Sequence, residues 1–266
     1  MAQSQAHESP LISVYAYHLK PPFIVDLERR QGLYYDFSDY LNRKGRGYRF
    51  QTVFLPRNRL EHALARRQLD GVVIGVTPLW FHDPQQQKYL WTPSLFHDQD
   101  EIVSLAGNPF DYRGPESLDG RRLAGVLGFS YAGIDERVSA GKIFRSNTAG
   151  EREVLQMILK GRVDVGIVSR STLDYLLATE PRQGPFHVSK TPHDVFERRI
   201  LVPQDKAAVH AYLLPLIEQM HADPAWQAIL QKYQADTTTE RHPSPCCTPA
   251  EGDSTRSATE EQSCCP

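Results

Sequence analysis

Cysteine is scarce in this sequence and absent from any place where a fold could use it. Cys246, Cys247, Cys264 and Cys265 all lie in the last 21 of 266 residues. The body of the chain therefore has neither a disulfide framework nor a thiolate metal site, and the redox compartment is left open. No apolar run approaches the roughly 20 residues that span a bilayer, and the opening "MAQSQAHESP" lacks the apolar core of a secretory signal. An excess of one charge is missing too: 30 Lys and Arg against 32 Asp and Glu leave a net charge of −2. That balance implies neither a nucleic-acid-binding face nor a membrane-seeking surface, so the expected partner is a small molecule. Short catalytic signatures are also lacking: no Gly-x-Ser-x-Gly elbow, no His-Glu-x-x-His helix and no Walker-type phosphate loop. The ten histidines are scattered, with His7 and His242 near the ends, so no zinc cluster is expected. Neither a metal nor a cofactor is implied.

Apolar residues make up 40% of the sequence, enough for one large domain or two lobes with sizeable cores. The exception is the C-terminal stretch beginning "TTTERHPSPCC", which has almost no large apolar side chains. It cannot bury enough surface to offset the entropy of ordering its backbone. Residues 235–266 are accordingly expected to form a disordered tail. Its two Cys-Cys pairs offer metal binding or intermolecular disulfides as alternatives, but adjacent cysteines lack the spacing of ordinary zinc sites.

Between these ends one pattern occurs twice. "NRLEHALARRQLDGVVIG" reads as a helix capped by Asn58 with Glu61 at the third position, a stop, and an apolar strand. "TAGEREVLQMILKGRVDVGIV" repeats the arrangement, with Thr148 and Glu151 at the capping spacing and Val154, Leu155, Ile158 and Leu159 as the apolar stripe. Strands as short and uniformly apolar as "VVIG" and "VGIV" suit a parallel sheet covered on both faces by helical crossovers. Upstream, "LISVYAY" reads as a first strand, Pro21-Pro22 as its break, and "LYYDFSDYLNRKG" as a helix ending near Gly45 or Gly47. A further strand-turn-helix unit follows in "RRLAGVLGFSYAGIDERVSAG". Residues 205–233 read as helical, with Ala208, Tyr212, Leu216 and Met220 facing back onto the first lobe. The fold class predicted is α/β in two lobes, each a mainly parallel sheet flanked by helices. Lobe 1 takes residues 11–104 and 201–234 and lobe 2 residues 105–200, with crossings near 104–108 and 198–202.

Five segments carry a resemblance: "PPF" at 21–23, "LDGVVIGVT" at 69–77, "WTPSLF" at 91–96, "LDGRRLAGVLGFSY" at 118–131 and "GRVDVGIV" at 161–168. In this order and spacing they resemble the bacterial extracellular solute-binding proteins of the polar amino-acid type (family 3), the bilobed receptors of ABC importers. The resemblance spans residues 11 to about 233. It implies a type II periplasmic-binding-protein fold that closes like a clamshell on a ligand, a periplasmic location, a monomer, and a membrane permease or a receptor kinase as partner.

Carried over by position, the resemblance places Gly75 and Thr77 at the ligand. His82 takes the place of the arginine that clamps an α-carboxylate, and Ser169 that of the aspartate that pairs the ligand's ammonium. A neutral histidine offers one donor where arginine offers a charged fork, and a serine hydroxyl supplies no countercharge. Ordinary α-amino acids are therefore not the expected ligand. If the 78–87 loop is registered differently by one or two positions, His82 is instead a surface residue. Tyr17, Phe23, Trp80 and Tyr131 fall where they would line the cleft as stacking surfaces, with core packing as the alternative for each. Arg57 and Arg170 are candidate anion contacts, the alternative being solvated surface charge. Ser130, in "GFSY", stands at a turn expected to open a helix, as either an oxygen-binding hydroxyl or a plain N-cap.

The function implied is binding of a small polar or aromatic organic solute by the receptor of an importer. Two other classes stay open. One is an enzyme like the dehydratase built on the same bilobed frame, which acts on cyclohexadienyl acids and would use residues such as His18, His82 and Arg57. The other is a ligand-sensing module for a membrane signalling receptor.

Overall fold

The computed structural model describes residues 9–180 and 184–234; the C-terminal tail expectation lies outside the described residues. Strands β1 (Leu11–Ala16), β2 (Arg49–Phe54) and β3 (Gly71–Val76) alternate with helices α1 (Leu33–Lys44) and α2 (Arg57–Ala65). After the short β4 (Leu90–Trp91), the long strand β5 (Phe96–Leu105) leads to β6 (Arg122–Val126), α3 (Ile134–Ser139), β7 (Phe144–Thr148), α4 (Glu151–Leu159), β8 (Val165–Ser169) and α5 (Arg170–Thr179). The chain then forms β9 (Phe186–Val188), returns through the long strand β10 (Asp194–Val202), and ends in α6 (Ala207–Met220) and α7 (Pro224–Lys232).

Two parallel cores result. β1 lies between β2 and β3, parallel to both, and β6 lies between β7 and β8, parallel to both. β3 and β8 are buried along their whole length, as expected of apolar strands covered by helices on both faces. The halves are joined by β5 and β10, whose segments 96–100 and 194–198 pair antiparallel. Beyond this join, β5 pairs with β8 and β9 of the second half, and β10 with β3 and β4 of the first. Each half has its own apolar clusters: Phe37, Leu41, Ile74 and Trp226 belong to the first, and Ala124, Leu155, Ile158 and Val168 to the second. The architecture is two-lobed α/β, as the sequence predicts.

Helix starts are where expectation and structure part. α2 begins at Arg57 with Pro56 before it, so Asn58 lies inside the helix and does not cap it. α4 begins at Glu151 with Gly150 before it; the Thr148 hydroxyl donates to the Gly150 carbonyl at 2.9 Å. Glu151 is thus the first helical residue, and its side chain is released from the capping role that the Thr148 spacing suggests. The helix expected at Ser130 begins only at Ile134, after Gly133 in a left-handed conformation (φ 72°), which leaves Ser130 exposed. The C-terminal helical stretch is two helices separated at residues 221–223, with Asp223 capping the second by accepting from Ala225 N–H. α6 does cover the first half, but its buried stripe is Val209, Leu213, Ile217 and Met220. That stripe lies one position past the expected row for three of its four members; Tyr212 and Leu216 flank it, partly buried.

Candidate functional site

The segment after β1 carries a dense polar and aromatic cluster toward the second half. Lys20, nine-tenths buried, forms an ion pair with Glu151 and donates to Ser169 Oγ at 2.9 Å. Ser169 Oγ lies 2.9 Å from both Glu151 Oε2 and Thr172 Oγ1, and Thr172 donates to the Pro21 carbonyl at 2.7 Å. Lys20 and Pro21 follow β1 in the first half. Glu151 opens α4, Ser169 ends β8 and Thr172 lies in the first turn of α5, all in the second half. These bonds therefore run from one lobe to the other. The Lys20 ammonium also lies 5.6 Å from the Phe23 ring centroid and 5.7 Å from that of Phe129, so an aromatic ring from each lobe is within cation–π range.

Next to it, His18 sits 4.0 Å from Tyr17 and 5.8 Å from both Phe23 and Trp80, centroid to centroid. Its Nδ1 is buried without a hydrogen-bond partner among the described residues. Burial, then the nearby charges of Arg198, Lys20 and Arg57, hold its pKa well below the usual histidine value, which keeps the ring neutral. Burial likewise pushes the Tyr17 phenol up to about 12, against the pull of Arg57. Arg57 is committed locally: it bonds Glu61 at 2.8 Å, the Trp80 carbonyl at 2.9 Å and the Tyr17 hydroxyl at 3.3 Å. Trp80, in a single 3-10 turn at Pro78–Phe81, packs edge-on against Phe196 at 4.9 Å. Beside this contact an open hollow of about 360 Å³ lies between Thr77, Trp80 and Gln86 on one side and Phe196, Glu197 and Arg199 on the other.

Beneath the cluster, Arg198 and Asp98 form a buried pair on the joining strands. Asp98 also accepts from the Ser171 hydroxyl at 2.8 Å, and Arg198 donates to the Gly75 carbonyl at 2.9 Å. Asp100, two residues along β5 and partly buried, has its carboxyl pushed up to about 7, chiefly by burial, with Lys20 opposing the shift and Glu151 and Asp98 adding to it.

The candidate residues are thus distributed unevenly. Tyr17, Phe23, Gly75, Trp80 and Ser169 come together around His18, Lys20 and Arg198, and Arg57 braces Tyr17 and Trp80. Phe23 is fully buried and stacked on Tyr34 at 5.0 Å. Thr77 lines the hollow. Tyr131 is a core residue of the second half, its hydroxyl accepting from Val126 N–H at 3.1 Å beneath Arg145. Arg170 is paired with Asp174 at 2.7 Å and faces Glu101 at 3.6 Å. His82 is exposed, in a left-handed conformation (φ 53°). Its neighbour Asp83 is the buried organiser of that loop, accepting from the N–H groups of Gln87, Lys88 and Tyr89 and from Trp91 Nε1 at 2.8–3.1 Å. Burial alone would raise the Asp83 pKa; Trp91 and the backbone donors outweigh it and bring it below the usual aspartate value.

Lys20, Glu151, Thr172 and Asp100 were not candidates. Glu151 carried a signal of the wrong kind, a helix-cap spacing, and Lys20 in "HLKPPF" carries none.

No family model matches the chain, and no curated protein matches it. Solved structures do. An ancestral arginine-binding protein bound to arginine superposes with a TM-score of 0.66 at 18% identity, covering 85% of this chain and 99% of that one. A mutant of the arginine-binding protein from T. maritima gives 0.65 at 16% identity, covering 85% and 96%. An ancestral amino acid-binding protein, described as a precursor of cyclohexadienyl dehydratase, gives 0.64 at 15% identity, covering 84% and 95%. The likeness spans nearly the whole of each of these chains and establishes the two-lobed binding-protein fold.

Proposed function

We propose that this chain is a solute-binding protein that closes two lobes on a small organic ligand, as the ligand-capturing component of an ABC importer in the periplasm. The observation that carries the reading is the meeting of Lys20, Glu151, Ser169 and Thr172 across the lobes, next to the box of Tyr17, His18 and Trp80. Flat aromatic walls, a few converging polar groups and a neutral imidazole are the composition of a small-molecule site. Its charges are mutually paired: Lys20 with Glu151, Arg198 with Asp98, Arg57 with Glu61. A zwitterionic α-amino acid entering it would have to displace those pairs, so a polar or aromatic solute without that signature fits better. The solved structures of similar fold described as arginine-binding or amino acid-binding support the transport class and leave the solute to experiment.

Native mass spectrometry of the purified protein, followed by a thermal-shift screen of polar and aromatic solutes and the twenty amino acids, tests this. A bound solute at 100 times its Kd adds about 2.7 kcal/mol, which for a chain of this size raises the melting temperature by several degrees. Failure of every solute to shift it would remove the reading.

One observation favours a second reading. Asp100, a carboxyl near Lys20 with its pKa moved to about 7, has the acidity of a general acid at neutral pH, and one similar fold is described as a dehydratase precursor. Incubation with prephenate-like cyclic acids separates the two: loss of water and carbon dioxide with aromatisation of the ring supports catalysis, and stabilisation without product supports binding.

A further inference from the structure

The groups around the Lys20 ammonium form a site for an ammonium ion. A carboxylate, Glu151, and a hydroxyl, Ser169, accept hydrogen bonds from it, and the faces of Phe23 and Phe129 flank it. Glu151 and Ser169 are 4% and 0% exposed, so the site is shut off from solvent. Contributions come from both lobes: the phenyl ring of Phe23 from the first, and the acid, hydroxyl and second ring from the second. This is how a receptor would hold a cationic ligand between its lobes, yet the cation belongs to the chain itself.

We propose that Lys20 is a tethered pseudo-ligand: its ammonium occupies an ammonium site of the interlobe cleft, so the ligand-free protein rests closed, latched by its own side chain. The inference builds on the solute-binding reading, because it takes the two lobes to hinge about 96–100 and 194–198. Two consequences follow. The protein rejects primary amines at this position as long as Lys20 is there, which is the specific reason an α-amino acid does not fit. And the latch is reciprocal: Thr172, holding the Pro21 carbonyl, and Ser169, bonded to Lys20 and Glu151, seat the 20–21 segment, so opening requires both contacts to break together.

Removing the lysine stem leaves an alkylammonium-shaped vacancy facing Glu151, with Asp100 close by. The experiment compares the intact protein with Lys20→Ala by small-angle X-ray scattering and thermal shift, each with and without millimolar ethylammonium and with sodium at equal ionic strength as control. Expected for Lys20→Ala are a larger radius of gyration, a melting temperature several degrees lower, and recovery of both by ethylammonium but not sodium. The wild type should respond to neither, and Glu151→Gln added to Lys20→Ala should abolish the recovery. An unchanged radius of gyration in Lys20→Ala, or a recovery indifferent to Glu151, overturns the latch. Should Lys20→Ala not fold, Lys20→Met with Glu151→Gln keeps the apolar stem and removes both charges. The latch then requires a folded protein that is more open than wild type, and a closed one refutes it. A wild type that is open yet stabilised by a screened solute would sink the latch and leave the binding function standing; an open Lys20→Ala with no solute found would do the reverse.

Discussion

Arg198 and Asp98 face each other diagonally across the two strands that join the lobes, with Nε and a terminal guanidinium nitrogen at 2.8 and 2.7 Å from one carboxylate oxygen and both side chains within 1% of full burial. The pair also has a hand on each lobe. Arg198 reaches the Gly75 carbonyl at the end of β3, and Asp98 holds the Ser171 N–H and hydroxyl at the start of α5. Two charges out of water attract strongly, but their desolvation cancels much of the gain, so the cost of losing one partner is the burial of the other alone. Asp98→Ala or Arg198→Ala should each cost about 3–5 kcal/mol, read from urea denaturation. Asp98→Leu with Arg198→Met should restore most of that. If the single substitutions cost less than ~1 kcal/mol, the join is not held by this pair.

Asp100 sets a pH dependence of definite sign. Its folded pKa of about 7 lies above the ordinary 3.8, mainly because burial disfavours the carboxylate. The folded state therefore holds the proton more tightly than the unfolded state. The stability tied to that proton is complete below about pH 4 and is lost as pH rises towards 7. Asp100→Asn, which cannot ionise, should match wild type near pH 4 and exceed it by of order 1–3 kcal/mol above pH 7. Melting curves from pH 4 to pH 8 check this, and parallel curves for the two proteins would contradict it.

Gly75 tests how closely the first lobe is packed under the cleft. Its φ is +75°, and a Cβ there would stand 1.7 Å from the Tyr34 hydroxyl. Both the backbone and the space forbid a side chain, and its carbonyl is the one that Arg198 uses. Gly75→Ala should cost about 2–4 kcal/mol, combining strain at positive φ with overpacking, and should weaken solute binding by displacing Tyr34. Unaltered stability in Gly75→Ala would mean that the Tyr34 ring moves freely.

The fold is legible in the sequence because its signals are local. "VVIG" and "VGIV" are short, apolar and bounded by stops, and the helix that precedes each carries its own periodicity, so strand-helix order follows without knowing what touches what. The site depends on pairs far apart in the chain. Lys20 and Glu151 are 131 residues apart and Asp98 and Arg198 are 100 apart, and no local pattern marks a charge that will find its partner only after folding. Glu151 misleads for a physical reason: a threonine three residues ahead offers a cap, but Gly150 can take extended backbone there (φ −165°) and serves as the cap instead, so the helix starts at the glutamate itself. The same slip of a few residues puts Ser130 outside α3. Ser169, placed by matching one strand end, falls at the cluster, because strand ends are fixed by the sheet register while loop positions are not.

The loop position that the resemblance marked most strongly, His82, yields the remaining prediction. Its backbone is left-handed (φ 53°, ψ 41°) and its side chain is exposed, while Asp83 beside it bonds four donors and holds the loop. A residue whose side chain contacts solvent, in a conformation that glycine adopts without a steric penalty, is expected to contribute shape rather than recognition. His82→Gly should therefore leave stability unchanged or raise it by up to about 1 kcal/mol, because relief of strain opposes the extra entropy of a glycine in the unfolded chain. His82→Ala should leave affinity for a solute found by the screen within about twofold at both pH 6 and pH 8, since an imidazolium bound to an anion would matter more at the lower pH. Calorimetric titration at the two pH values decides it. A loss confined to pH 6 would bring His82 back into the cleft as an anion contact, with the loop moving to deliver it when the solute arrives.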